Sequence, residues 1–156
     1  MRTVNTGEYV SILKELTKEG KEASLLISGS SMSPFLIHQR DTIYFRHPDR
    51  ALKRGDMVFY QRANGQYVMH RIYKKRPEGL YLVGDNQTVI EGPLNENQVF
   101  ALVCAVKRKG KMLYPGSFWW EFFALSGRYS FPYVRFSRPA MPGFSFPGVQ
   151  VTINYS

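Results

Sequence analysis

Met57-Val58-Phe59-Tyr60-Gln61-Arg62-Ala63-Asn64-Gly65-Gln66-Tyr67-Val68-Met69-His70-Arg71-Ile72 reads as two apolar-alternating runs on either side of an Asn-Gly turn. Asn-Gly adopts the left-handed backbone of a tight hairpin at little cost, so the stretch predicts two antiparallel strands. Outward from it, Leu25–Ser28, Thr42–Phe45, Leu80–Val83 and Gln98–Val106 are further short β-like runs. Turn-rich segments separate them: His47-Pro48-Asp49, Arg54-Gly55-Asp56, Pro77-Glu78-Gly79 and Gly84-Asp85-Asn86. Short strands at this spacing predict a mainly β protein, a compact antiparallel sheet or barrel. Ahead of them, Tyr9, Ile12, Leu13 and Leu16 stand at helical spacing and predict a short amphipathic helix stopped near Gly20. The chain thus divides into a helix over 1–22, a β domain over 23–110 and an aromatic, basic extension over 111–156.

At 156 residues the chain is long enough to bury a core without disulfides. Its one cysteine, Cys104, sits in an apolar run and fits a buried thiol in a reducing, cytoplasmic setting. Three histidines and one cysteine offer no metal-ligand spacing, and no cofactor is expected. Residues 1–20 lack the apolar stretch of a secretory signal, and no window approaches the roughly 18 apolar residues of a membrane span. The net charge of +9 is uneven: residues 107–156 hold seven basic groups against one acidic, Glu121.

Two segments carry chemistry. Ser28-Gly29-Ser30-Ser31-Met32-Ser33-Pro34 puts serines on a glycine-bearing turn after an apolar strand, and His70 lies on a predicted strand. A serine hydroxyl becomes a useful nucleophile only when a neighbouring base takes its proton. Four short boxes occur in order: Gly29-Ser30-Ser31-Met32-Ser33-Pro34, Gly55-Asp56-Met57-Val58, Val68-Met69-His70-Arg71-Ile72 and Gly84-Asp85-Asn86. In these boxes the sequence resembles the type I signal peptidases and their relatives, the self-cleaving SOS repressors, over about 80 residues from Leu25 to Val106.

The resemblance implies a repressor- and peptidase-like β fold and serine endopeptidase chemistry. It maps the nucleophile onto Ser31 and the general base onto His70, which places the chain with the histidine-using branch. The acidic partner of that branch falls on Glu91, with Asp85 as the other carboxylate considered. Backbone N–H groups around Gly29, Ser30 and Ser31 would meet the oxyanion, each donor typically worth about 3 kcal/mol of barrier. Met32 and Pro34 would shape the turn and line the substrate groove. The implied substrate is a peptide or a leader segment of a precursor protein, extended along a sheet edge as an added strand. The amphipathic helix replaces the membrane anchor usual before the nucleophile box, so a member without a transmembrane anchor is expected.

The rival reading keeps the fold and drops the catalysis, leaving a regulatory module that binds peptide, membrane or DNA. The extension has two readings of its own. Tyr114–Phe136 holds ten aromatics in 23 residues, with Arg128 and Arg135 among them. They either close the core or a sheet edge, or they make a peripheral contact with a membrane interface, where Trp, Tyr and Arg sit favourably. No recognisable RNA-binding motif accompanies them, and no nucleic acid is expected as a partner.

Overall fold

The computed structural model describes residues 6–27, 33, 35–85, 87–126 and 135–137. In chain order these form α1 (Thr6–Lys18), β1 (Ala23–Leu26), β2 (Thr42–Arg46), β3 (Met57–Gln61), β4 (Tyr67–Arg76), β5 (Gly79–Val83) and β6 (Val89–Leu94). Then follow β7 (Val99–Arg108), β8 (Lys111–Leu113), α2 (Phe118–Ser126) and β9 (Arg135–Ser137). The strands make one sheet in the order β1-β2-β7-β3-β4-β5-β6-β9, with β8 paired to β7 beside that path. The sheet is open and not closed into a barrel, and every pairing is antiparallel except β6 with β9.

The Asn64-Gly65 hairpin forms with a three-residue loop. Arg62 and Gln66 close it (N to O, 2.8 Å), Gly65 takes a positive φ of 87°, and the Asn64 side chain accepts from the Gln66 amide. The resulting register sets Val58 opposite His70 and Tyr60 opposite Val68. Because side chains alternate across a strand, β3 serves two cores. Met57 and Phe59 face a cluster with Val10, Leu13, Leu25, Phe35, Phe45, Met69 and Trp120. Val58 and Tyr60 face the other, with Val68, Ile72, Leu80, Leu82, Leu94 and Leu102. Each fully buried apolar side chain contributes about 1.5–3 kcal/mol, so both clusters hold the central strands firmly.

Helix α1 ends where expected. Gly20 takes φ 79° and the Lys21 amide reaches back to the Leu16 carbonyl, a helix-closing pattern that glycine permits. Its inward face differs from the sequence reading: Val10, Leu13 and Thr17 are buried, whereas Ile12 is 51% exposed. The helix has turned so that the row three and four residues apart beginning at Val10 meets the sheet.

Strands β6, β8 and β9 and helix α2 were not foreseen. The Glu91-Gly92-Pro93 stretch reads as a turn, yet it lies within strand β6, where the register with β5 jumps from Leu82↔Glu91 to Leu80↔Leu94. Gly92 makes this irregularity feasible. Its φ is 152°, and a Cβ there would fall 2.7 Å from the Leu80 carbonyl oxygen. In the aromatic segment, α2 seats Trp120 and Phe123 against Phe35, with ring centroids 5.7 and 5.1 Å apart. Part of that segment therefore does close the core.

Candidate active site

His70 is buried, at 4% exposure, in the middle of β4. Alternation places it on the face of Val68 and Ile72, toward the second core. Its Nδ1 lies 3.1 Å from the Tyr60 hydroxyl, and that hydroxyl donates to Glu91 Oε2 at 2.7 Å. Arg62, just past β3, grips the same carboxylate with two bonds of 2.8 Å. The sheet brings these groups together by curling. Tyr60 on β3 and Glu91 on β6 stand three strands apart, roughly 14 Å along a flat sheet, yet their side chains touch. The β5–β6 pairing sets Glu91 opposite Leu82, which itself faces Ile72 on His70's side of β4.

Burial first of all pushes the His70 imidazole down, to about 4, and Arg62 adds to the shift while Glu91 opposes it. At neutral pH the ring is therefore uncharged. Burial pushes the Glu91 carboxyl up, but the bonds from Arg62 and Tyr60 outweigh it and hold the group below its usual range. Burial raises the Tyr60 phenol, and Glu91 raises it further, so it keeps its proton.

The other carboxylate considered, Asp85, goes elsewhere. It accepts two bonds of 2.9 Å from Arg71, the next residue after His70 and on the opposite face. Arg71 also donates to the Gly55 carbonyl at 3.0 Å, so the pair joins β4 to two turns. The structure thus links His70 to Glu91 through Tyr60 and commits Asp85 to Arg71.

Gly29, Ser30, Ser31, Met32 and Pro34 lie outside the described residues, but both flanks of the segment are fixed. Ile27 is buried and exchanges hydrogen bonds with Asp41 and Gln39. Phe35 is fully buried, its carbonyl accepts from Arg108, and the Arg71 guanidinium sits 5.4 Å from its ring centroid. Asp41, also fully buried, accepts from the Ile37 amide, from Arg40 and from the Lys109 amide. Burial works against its charge, but the Arg40 and amide bonds prevail and its carboxyl stays below the ordinary range.

Tyr60, Arg62 and Asp41 escaped the sequence reading. For Tyr60 a signal existed: hairpin register alone puts it on His70's face, one diagonal step away. Cys104 is half-buried, bonded to the Tyr44 carbonyl, and burial pushes its thiol up to about 11, consistent with an unreactive side chain. Among the described residues no cluster of three metal-ligating side chains occurs, and no helix is long and apolar enough to cross a membrane. No family model and no curated protein sequence matches the chain.

Proposed function

We propose that the protein is a serine endopeptidase that cleaves a specific peptide or leader segment, with Ser31 as nucleophile and His70 as general base. The observation that carries this reading is His70 itself: a buried, uncharged imidazole tied through Nδ1 to a chain of polar groups that ends in a paired carboxylate. An uncharged imidazole is the form that accepts a proton. The ordered sequence boxes support the same assignment. In the reaction Ser31 Oγ attacks the peptide carbonyl as His70 takes its proton, and His70 then protonates the leaving amine. Backbone amides of Gly29–Ser31 face the oxyanion, and the substrate extends along a sheet edge.

Peptide-library cleavage by the full chain tests the assignment. It is expected to vanish in both Ser31→Ala and His70→Ala, with labelling of wild-type Ser31 by a fluorophosphonate. Cleavage that persists in both variants removes the reading.

The same reading puts the enzyme in a reducing, cytoplasmic compartment, in peripheral contact with a membrane through Tyr114–Phe136. Phe118, Trp119 and Phe122 on α2 are 72%, 47% and 47% exposed, beside the basic turn of Lys107, Arg108, Lys109 and Lys111. Sedimentation with anionic but not zwitterionic vesicles is expected, weakened at least tenfold in Phe118→Ser/Phe122→Ser. Equal recovery in the supernatant with both vesicle types overturns it.

A further inference from the structure

We propose that Tyr60 is the positioning residue that fixes the His70 proton on Nδ1 and leaves Nε2 as the proton acceptor. The proposal rests on the peptidase reading for its catalytic meaning, while its structural content stands on four hydrogen bonds alone.

A phenol carries one proton and can donate only once, but its oxygen can accept as well. Two acceptors compete for that proton: Glu91 Oε2 at 2.7 Å and His70 Nδ1 at 3.1 Å. Glu91 is held by both guanidinium bonds of Arg62 and is ionised, so it offers only lone pairs. A hydroxyl-to-carboxylate bond at the shorter distance is charge-assisted and about twice as strong as a neutral one. The Tyr60 proton therefore goes to Glu91. What Tyr60 then turns toward His70 is a lone pair. If Nδ1 were bare, two lone pairs would face each other at 3.1 Å in a buried site, leaving both unsatisfied. Nδ1 consequently carries the hydrogen. A neutral imidazole has one N–H, so Nε2 keeps its lone pair, and among the described residues the structure gives Nε2 no hydrogen-bond partner.

Direction thus passes along the chain from Arg62 to Glu91, then Tyr60, then His70. The carboxylate orients the base without touching it. This differs from a direct carboxylate–imidazole pair in one chemical respect. The imidazolium that forms when His70 accepts a proton meets a neutral phenol oxygen, while Arg62 offsets part of the Glu91 charge. Tyr60 therefore sets orientation and tautomer, and contributes less to stabilising the cation.

Long-range proton–nitrogen correlation spectra of the full chain, with labelled histidines assigned by loss of the signal in His70→Gln, read the tautomer directly. Wild type is expected to show His70 as the Nδ1–H form. Tyr60→Phe, which removes one oxygen and keeps the ring, is expected to lose that preference and to lower kcat about 10- to 100-fold with KM nearly unchanged, because the wrong tautomer cannot act as base. An Nε2–H form in wild type overturns the proposal without any variant. So does an unchanged tautomer in Tyr60→Phe. The two hypotheses fail separately: cleavage that persists in both Ser31→Ala and His70→Ala sinks the peptidase reading and leaves the tautomer result intact. An unmoved tautomer alongside an inactive Ser31→Ala sinks only the role of Tyr60.

Discussion

His70 and Arg71 are consecutive on β4, equally buried, and turned to opposite faces of the sheet. Arg71 is closed: Nε and both terminal nitrogens are bonded, to Asp85 and to the Gly55 carbonyl. His70 is open: one ring nitrogen is held, and the other has no hydrogen-bond partner among the described residues. A closed buried pair fixes architecture, because every charge is matched and nothing is left to react. A buried imidazole held at Nδ1 has the features the proposed chemistry needs, because its orientation is fixed at one nitrogen. The contrast also separates the two carboxylates that the sequence offered. Asp85 belongs to the closed side and Glu91 to the open one.

The largest effects should come from exchanging the two neighbours' fates. Arg71→Met leaves the Asp85 carboxylate buried without its partner, and a loss of about 3–5 kcal/mol is expected in urea unfolding. His70→Gln is expected to cost under about 1 kcal/mol by the same measurement while abolishing cleavage, since it removes the base but no buried charge. Equal stability losses in the two variants would erase the distinction.

A smaller and more diagnostic effect is the response to acid. His70 titrates near 4 in the folded chain against about 6.5 unfolded, so the unfolded state binds the extra proton. Stability is complete above pH 6.5 and falls as pH drops toward 4, by up to on the order of 3 kcal/mol. His70→Gln should flatten that window. Asp41 and Glu91, both held below their ordinary range, add losses further down the scale. Arg62→Gln removes a charge that depresses the His70 value, so the window should move upward toward 6.5. Its cost in stability at neutral pH should be about 1–3 kcal/mol, between a surface pair and the Arg71–Asp85 pair, because Arg62 and Glu91 are mostly but not fully buried. A pH profile identical in all three proteins would contradict the burial of a titrating imidazole.

Much of the scaffold was readable because local chemistry dictated it. Asn64-Gly65 announced the hairpin, β3 fell on Met57–Gln61 as expected, and Gly20 ended α1. What escaped reading depended on contacts distant in sequence. Gly92 and Pro93 look like a turn until Leu80 and Tyr81 are packed against them, and then they belong to a bent strand. Helix α2 carries aromatics on nearly every side, so no periodicity separated the buried Trp120 from the exposed Phe118. At the candidate site, the resemblance named His70 and Glu91, which the structure links, but it did not name the Tyr60 hydroxyl between them. Its position follows from a curl of the sheet that brings β6 back over β3, and no short stretch of sequence encodes that curl.

The ten-residue strand β7 pairs along one edge with β2 and along the other with β3 and then β8. Without it the β1–β2 pair and the β3–β4–β5–β6 run share no strand pairing, only side-chain packing such as Phe45 against Phe59. Thr42 must wait for Lys107, sixty-five positions later, before its strand gains a second neighbour. Disrupting that one strand would therefore unpair the inner edge of both half-sheets at once. The imidazole, the phenol and the carboxylate all belong to the second half-sheet, so the hydrogen bonds that join them never cross β7.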